Sequence, residues 1–327
     1  MRQRDLGKSG VKVSCIGLGC MGMSEFYGPS DDKASERLIQ RAIDLGINFF
    51  DTADSFGVGH NEMLLGHVLR GGVRDKIVVT TKFGLMRRTD GAYLGVNGHP
   101  DYVRSSCDMS LRRLGLDHID LYLQQKLDPN VPVEDTVGAM ADLVKAGKVR
   151  FLGLSEVEPE VLRRAHRTHP LTALQAELSL WSREAMGEVL ETTRELGLAF
   201  IASGPLGRGF LAGQFKSHNQ FLPGDYRAKH PRMNSENFEA NRRHVDNLER
   251  MAQVHGHTAG QLALAWVLAQ GEDILPIPGT RREYFLMENI AGARLTLSEG
   301  VIREIGAMIP HLEIRGTRHA EMLRTGF

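Results

Sequence analysis

A chain of 327 residues whose 40 basic side chains balance 40 acidic ones carries no formal net charge, so nothing in the balance draws it to nucleic acid or an anionic membrane surface. Hydrophobic residues make up 42%, enough for a substantial core in one large domain or two small ones. Cys15, Cys20 and Cys107 are odd in number and form no C-x-x-C pair, which fits free thiols in a reducing compartment better than a disulfide framework. The opening "MRQRDLGKSG" lacks the apolar core of a signal peptide, and no run approaches the roughly 18 apolar residues of a membrane span. A soluble cytoplasmic protein is expected.

Taken in chain order, short apolar runs alternate with helical patterns. "VSCIGLGC" is a glycine-bounded apolar run. "SERLIQRAIDLG" places Leu38, Ile39, Ala42, Ile43 and Leu45 at helical spacing and stops at Gly46. Then come the strand "NFFDTA", the helix "NEMLLGHVLR", the strand "KIVVTTKFG", a helix over 101–115 and the strand "HIDLYLQ". "VEDTVGAMADLVKAGK" reads as a helix, "VRFLGLS" as a strand, "EPEVLRRAHR" as a helix, "LTALQAELS" as a strand and "SREAMGEVLETTRELG" as a helix. "LAFIASGP" is a strand before an irregular insertion at about 214–240, which suits a binding loop or lid. "TAGQLALAWVLAQG", "DILPIPG" and "RREYFLMENIAGA" complete the series as helix, strand and helix, and a polar tail occupies about 312–327.

Eight strand–helix units, with strands apolar on both faces and no linker-like break, predict a single-domain parallel (β/α)₈ barrel over 1–327. "RDLGKSGVKVS" predicts a short N-terminal hairpin across its bottom. An open doubly wound sheet is the alternative. "GLGCMG" does match the G-x-G-x-x-G spacing, but the next helix begins about ten residues too late for a dinucleotide fingerprint.

In such a barrel the reactive groups stand at the C-terminal ends of the strands. That rule selects Asp51, Asp54, Lys82, Gln124, Gln125, Ser155, Glu156, Gln175, Glu177 and Ser203. Lys82 ends an otherwise apolar strand. It either snorkels to the rim or pairs with Asp51 inside the mouth.

The segments "IGLGCMGMSEFYG", "FFDTADSFGVGHNEMLLG", "VVTTKFG", "IDLYLQQKLDP", "GKVRFLGLSE", "LTALQAELSLWSR", "SGPLGRGFLAG" and "IPGTRREYFLMEN" resemble, in order and spacing, the aldo-keto reductases. The resemblance covers nearly the whole chain. It implies a (β/α)₈ barrel, NADP(H) as cofactor, a small carbonyl-containing substrate and a catalytic tetrad of Asp, Tyr, Lys and His. Asp51 and Lys82 match two members of that tetrad. The tyrosine five places after the aspartate is Phe56 here, and the histidine is Gln125 within "LQQKLDP". The tyrosine that stacks on the nicotinamide is Ser203. For the cofactor the resemblance implies Ser155, Glu156 and Gln175 near the carboxamide, and Ser203, Pro205, Leu206, Gly207 and Arg208 near the pyrophosphate. Gly279, Thr280, Arg281 and Arg282 would then meet the adenosine 2′-phosphate, and Glu288 and Asn289 the adenine. Tyr27 and Trp181 are expected at the substrate pocket, Trp181 as an aromatic wall, and His60 as the start of a helix. No metal is expected.

Phenylalanine cannot protonate the alkoxide left by hydride addition, and loss of one general acid costs about 10²–10⁴ in rate. The resemblance therefore implies an oxidoreductase of a carbonyl or conjugated enone with an altered proton-donor site. The alternatives are a non-redox lyase or dehydratase on the same barrel, or an inactive NADPH-binding protein, by engineering or natural divergence.

Overall fold

In the computed structural model, residues 1–318 are described; residues 319–327 of the expected tail lie outside them. The chain forms twelve strands among the described residues. These are β1 (Gln3–Asp5), β2 (Lys12–Ser14), β3 (Leu18–Gly19), β4 (Phe49–Asp51), β5 (Val78–Phe83), β6 (Leu85–Arg87), β7 (Tyr93–Val96), β8 (Ile119–Gln124), β9 (Val149–Ser155), β10 (Ala173–Glu177), β11 (Ala199–Ser203) and β12 (Ile274–Pro276). Ten helices accompany them: α1 (Asp32–Asp44), α2 (His60–Leu69), α3 (Pro100–Leu114), α4 (Val133–Lys145), α5 (Pro159–Thr168), α6 (Glu188–Leu196), α7 (Phe238–Val254), α8 (Ala259–Leu268), α9 (Glu283–Arg294) and α10 (Glu299–Met308).

Eight strands pair in parallel in the order β12-β11-β10-β9-β8-β5-β4-β3. The two ends then meet. Gly17 and Gly19 donate to the carbonyls of Pro276 and Pro278, and Gly19 bridges Gly279 in parallel. The result is a closed (β/α)₈ barrel. A Cβ on Gly17 would lie 2.7 Å from the Phe49 ring, and one on Gly19 would lie 2.9 Å from the Ile277 carbonyl oxygen. Two of the glycines in "GLGCMG" therefore serve closure of the barrel.

The two faces of the strands fill two separate cores, as the period of two demands. Phe49, Val78, Leu121, Leu123, Ala173, Ala199, Ile201 and Leu275 pack inside the barrel, while Phe50, Val79, Tyr122, Leu154, Leu174 and Phe200 face the helices. Leu6 and Val13 of the β1–β2 hairpin join the inner cluster and plug the bottom. Arg4 fixes the plug by donating to the carbonyls of Leu268, Gly271 and Ile274. The bottom is sealed by packing, which leaves the C-terminal mouth for chemistry.

Several elements differ from the sequence reading. The apolar run 13–20 divides between the hairpin and β3. α7 occupies 238–254, a mostly polar stretch for which the sequence predicts no helix, and β6–β7 form an antiparallel hairpin beside the mouth. The insertion at about 214–240 contains the 3₁₀ turns His218–Gln220 and Tyr226–Lys229 and runs into α7. Among the described residues no helix is long and apolar enough to cross a membrane.

Leu6 is fully buried although it stands on a three-residue-strand hairpin. Leu6→Ala should lower stability by about 2–5 kcal/mol with the far-UV circular dichroism retained, read from urea unfolding midpoints.

Candidate functional site

The alternation that builds the inner core also delivers polar groups to its top. Phe49 points inward, so Asp51 does too, and Val78 sets the same phase for Thr80 and Lys82. Lys82 is 2% exposed, and its Nζ lies 2.7 Å from Asp51 Oδ2 and 2.7 Å from the Thr52 carbonyl oxygen. Gln175 Nε2 donates to the other carboxylate oxygen of Asp51 at 2.7 Å. The pairing reading of Lys82 holds, and the snorkelling one does not.

Phe56 stands over this pair. It is 8% exposed, and Lys82 Nζ is 5.0 Å from its ring centroid, a cation–π contact. No hydroxyl is present where the ammonium would tune one. Gln125 is brought to the same mouth. Its Oε1 accepts from Ser55 Oγ at 2.8 Å, and its backbone N–H donates to Phe83. Gln124, one residue earlier, has the opposite phase to inward-facing Leu123 and turns away from the mouth; its Oε1 is buried without a partner.

The Asp54 carboxyl is not among the hydrogen-bond partners of Lys82 Nζ. Burial pushes its carboxyl well above the usual range, and the Glu62 carboxylate adds to the effect. Glu62 itself accepts from Thr81 Oγ1 and Arg113 Nε, which places this group of charges between β5 and helices α2 and α3. His60 opens α2, as expected, and bridges Ser24 and Asp32. Cys20, near Asp51, has its thiol pushed up to about 12 by burial and is inert as a nucleophile.

The second half of the mouth is ionic. Glu177 ends β10 and receives Arg208 at 3.0 and 3.3 Å and Ser182 Oγ at 2.7 Å. Burial opposes its ionisation, but Arg208 and the Ser182 hydroxyl overcome this and hold it at about 2. The Arg208 guanidinium is thereby committed to Glu177. Glu156 accepts from Arg318 Nη2 at 2.6 Å and from the Glu177 backbone N–H at 2.8 Å. His230 shares the region and is lowered to about 3, mainly by burial and then by Arg208.

Around these groups a backbone loop remains. Gly204, Gly207, Arg208 and Gly209 all have positive φ, and the loop turns on itself, with Gly207 N–H donating to the Gly204 carbonyl and Gly209 N–H to that of Leu206. A Cβ on Gly207 would lie 2.7 Å from the Trp181 indole, so the loop sits directly on that ring. Trp181 is 1% exposed, stacks on Phe210 and has its indole N–H unpartnered. It lies directly under this loop. Thr280 and Arg282 lie at the start of α9, with Arg282 exposed, and Glu288 and Asn289 are buried along that helix. Arg281 behaves differently from its neighbour. Its guanidinium donates to the carbonyls of Tyr27, Gly28 and Pro29, and so ties the loop after β3 to the β12–α9 connection. Ser155 is buried at the end of β9, and Ser203 ends β11 partly exposed.

Three loops meet over the mouth through residues that local spacing does not reveal. Arg87 on β6 donates to both oxygens of Glu25, to the Ser55 carbonyl and to Gly91, and lies over Tyr93 and Phe26. Arg227 of the insertion pairs with Asp225 and covers the rings of Tyr27 and Phe215. The Tyr27 phenol is raised by burial, which Arg208 and Arg227 oppose, and its electrostatic neighbours are these arginines rather than Lys82.

Because Glu177 titrates at about 2 in the native state against an ordinary 4.5, its contribution is present above pH 4.5 and is lost as pH falls towards 2. Glu177→Gln also leaves Arg208 buried and unpaired, a cost of about 3–5 kcal/mol near neutrality. The stability gap between the two proteins should narrow between pH 4.5 and 2, as measured by urea unfolding across that range.

Comparison with known proteins places this geometry. The Aldo/keto reductase family model matches residues 15–310. The chain is 43% identical to "Probable aldo-keto reductase 1" of Glycine max over 315 residues, covering 96% of this chain and 90% of the relative. It is 41% identical to "Aldo-keto reductase yakc [NADP(+)]" of Schizosaccharomyces pombe over 312 residues, covering 94% and 92%. Among solved structures it is similar to the glycerol dehydrogenase AKR11B4 from Gluconobacter oxydans, with a TM-score of 0.84, 26% identity and coverage of 97% of this chain and 99% of that one. The thermostable aldo-keto reductase Tm1743, solved with the inhibitor epalrestat, gives a TM-score of 0.76 at 26% identity, covering 94% and 100%. With its barrel, its buried Lys82–Asp51 pair and a family match across most of its length, the chain belongs to the aldo/keto reductase family.

Proposed function

We propose that the chain is an NADP(H)-dependent oxidoreductase acting on a small carbonyl-containing or conjugated-enone molecule, with a proton-donor site that departs from the family pattern. The observation that carries the reading is the buried Lys82–Asp51 pair, bound by Gln175 and covered by the Phe56 ring. The framework of the tetrad is kept, and the hydroxyl that would transfer the proton is not.

The residues fit a nicotinamide dinucleotide. The Leu206 and Arg208 N–H groups of the loop at 204–209 stand outside its internal hydrogen bonds and would meet a pyrophosphate, and at 207 only glycine fits above Trp181. Gln175 directs Nε2 to Asp51, so its Oε1 is left to accept from a carboxamide, beside Ser155 and Glu156. Thr280 and the exposed Arg282 would take the 2′-phosphate, with Gly279 leaving room for the strand closure behind them. Arg281 would hold the loop rather than the phosphate. Glu288 and Asn289 would face the adenine. When bound, the cofactor supplies the hydride. The chain's own part is to orient the acceptor, exclude water and hydrogen-bond its oxygen through Gln125.

A second reading is favoured by one observation. Lys82 directs its ammonium to Asp51, the Thr52 carbonyl and a benzene ring, so no proton path leads from it to a substrate. That suits an NADPH-binding protein without turnover.

Titration of intrinsic fluorescence with NADPH and NADH should show saturable quenching with preference for NADPH. Arg282→Ala should weaken NADPH by about 10- to 100-fold while leaving NADH little changed, the worth of one charge-assisted contact. Equal affinity for the two cofactors in the wild type would remove the phosphate assignment. NADPH consumption separates the functions: oxidation with enones or other carbonyls supports the oxidoreductase, and tight binding without oxidation supports the second reading. Simple aldehydes should react very weakly. Phe56→Tyr should leave turnover of the wild-type substrate flat or lower it; a large gain in aldehyde reduction would mark instead a reductase that has merely lost its acid.

A further inference from the structure

We infer that a second binding site lies on the outer face of the barrel, between α2 and α3, and that it takes the doubly charged phosphoryl group of a small organic phosphate. A cavity of about 390 Å³ there is lined by Met63, His67, Arg70, Arg112 and Arg113. Its three guanidiniums come from the ends of two helices. Arg70 caps α2, and Arg112 and Arg113 stand in the last turn of α3.

The fold brings them together. Gly66 lets α2 cross the end of α3, where a Cβ would lie 2.4 Å from the Leu114 carbonyl oxygen. Arg113 is fixed from inside: its Nε donates to Oε2 of the fully buried Glu62 at 2.6 Å. Among the described residues its terminal nitrogens meet only Ser110 Oγ, at 3.3 Å. Arg70 and Arg112 are exposed and, among the described residues, have no hydrogen bond, ion pair or ring contact. His67 comes no closer than 3.9 Å to Glu36.

Helix dipoles explain part of this arrangement, because a cation is favoured at a helix C-terminus. They account for a basic residue at each end. They do not account for three around one cavity, where like charges repel and free N–H groups find no acceptor. Three guanidiniums less the Glu62 carboxylate leave two positive charges while His67 is neutral. A phosphate monoester carries about 1.5–2 negative charges near neutrality and three strong acceptor oxygens, which match both that charge and the forked donors. The volume falls within the roughly 300–1,000 Å³ of small-molecule sites, and the half-exposed Met63 offers an apolar wall to the organic part. This site is independent of the oxidoreductase reading.

The test uses the full chain labelled with ¹³C-methyl methionine, with Met63 assigned by its loss in Met63→Leu. Because Met63 lines this cavity, a phosphate held at the barrel mouth does not enter the reading. At low salt, phenyl phosphate should shift the Met63 methyl resonance saturably. Arg70→Ala and Arg112→Ala should each weaken that binding about tenfold, the worth of one charge-assisted contact. Both residues are exposed, so the fold is kept; Arg113 is left in place because its loss would strand the buried Glu62. Benzenesulfonate, a monoanion with the same ring, should bind several-fold more weakly. A Met63 methyl unmoved by phenyl phosphate, or a titration unchanged in both arginine variants, would overturn the site. Equal affinity for benzenesulfonate would overturn the dianion assignment. A phosphoserine peptide that binds more tightly than phenyl phosphate would replace the small ligand by a phosphorylated protein segment.

Discussion

A lysine at 2% exposure inside a barrel of apolar side chains keeps its charge only if a counter-ion and its hydrogen bonds come with it. Much of the mouth follows from that constraint. Asp51 must stand within reach on the neighbouring strand, and the β4–β5 register provides this by pairing Asp51 with Thr80, two residues before Lys82 on the same face. The second carboxylate oxygen must also be satisfied, and Gln175 reaches across from β10 to do so. The Thr52 carbonyl then has to face inward, which bends the chain out of β4 and into the turn that carries Ser55 and Phe56. Removing either charge would leave the other buried and uncompensated at a cost of about 3–5 kcal/mol. Such a pair can therefore persist for stability even where the chemistry around it has changed. Its presence does not by itself identify a reaction.

The rest of the mouth follows the same rule with a different partner. Glu177 and Arg208 are a second buried pair, completed by Ser182, with Glu156 and Arg318 beside them. Arg208 takes its place only because its backbone adopts positive φ next to Gly207, and Gly207 in turn is the residue that fits over Trp181. The backbone turn that could cradle an anion and the ion pair beneath it are thus one folded unit. The guanidinium is committed downward to Glu177, and the Gly207 and Gly209 N–H groups close the turn on the Gly204 and Leu206 carbonyls.

The barrel was legible because each buried strand is a short apolar run between a polar helix and a loop. The phase of two inside each run then placed Asp51, Lys82, Ser155, Gln175 and Ser203 at the top. What was not legible depends on partners distant in sequence. Arg281 beside Arg282 reads as a basic pair, and only the approach of residues 27–29 shows that one of the two is committed to backbone carbonyls. Arg87 reads as one of two adjacent arginines in a polar stretch, yet it joins three loops. Trp181 has the composition of a pocket wall, but the absence of a side chain on Gly207 lets a loop close over it. The helix at 238–254 was missed because its sequence is mostly polar, with its apolar stripe limited to Phe238, Val245, Leu248, Met251 and Ala252. Glycines 17 and 19 matched a nucleotide spacing for a reason unrelated to nucleotides: two strands must approach there to close the barrel.

On the proposed reading, Phe56 and Gln125 stand where the family resemblance implies tyrosine and histidine, and the two are most informative together. With tyrosine and histidine at the two positions, a site can both polarise a carbonyl and protonate the product. Phenylalanine and glutamine leave the first ability to a single amide and remove the second. Hydride addition to an isolated carbonyl yields an alkoxide, a strong base that such a site cannot quench. Hydride addition to the far carbon of an enone yields an enolate, whose charge is shared between oxygen and carbon and whose proton can arrive later from water. One hydrogen-bond donor suffices to hold that anion, and a titrating acid adds less to it. An apolar ring at Phe56 suits a conjugated, planar acceptor better than it suits an alkoxide. On the proposed reading, the pairing of Phe56 with Gln125 suits a conjugated acceptor better than an isolated carbonyl, because an amide can hydrogen-bond an enolate oxygen without giving up a proton.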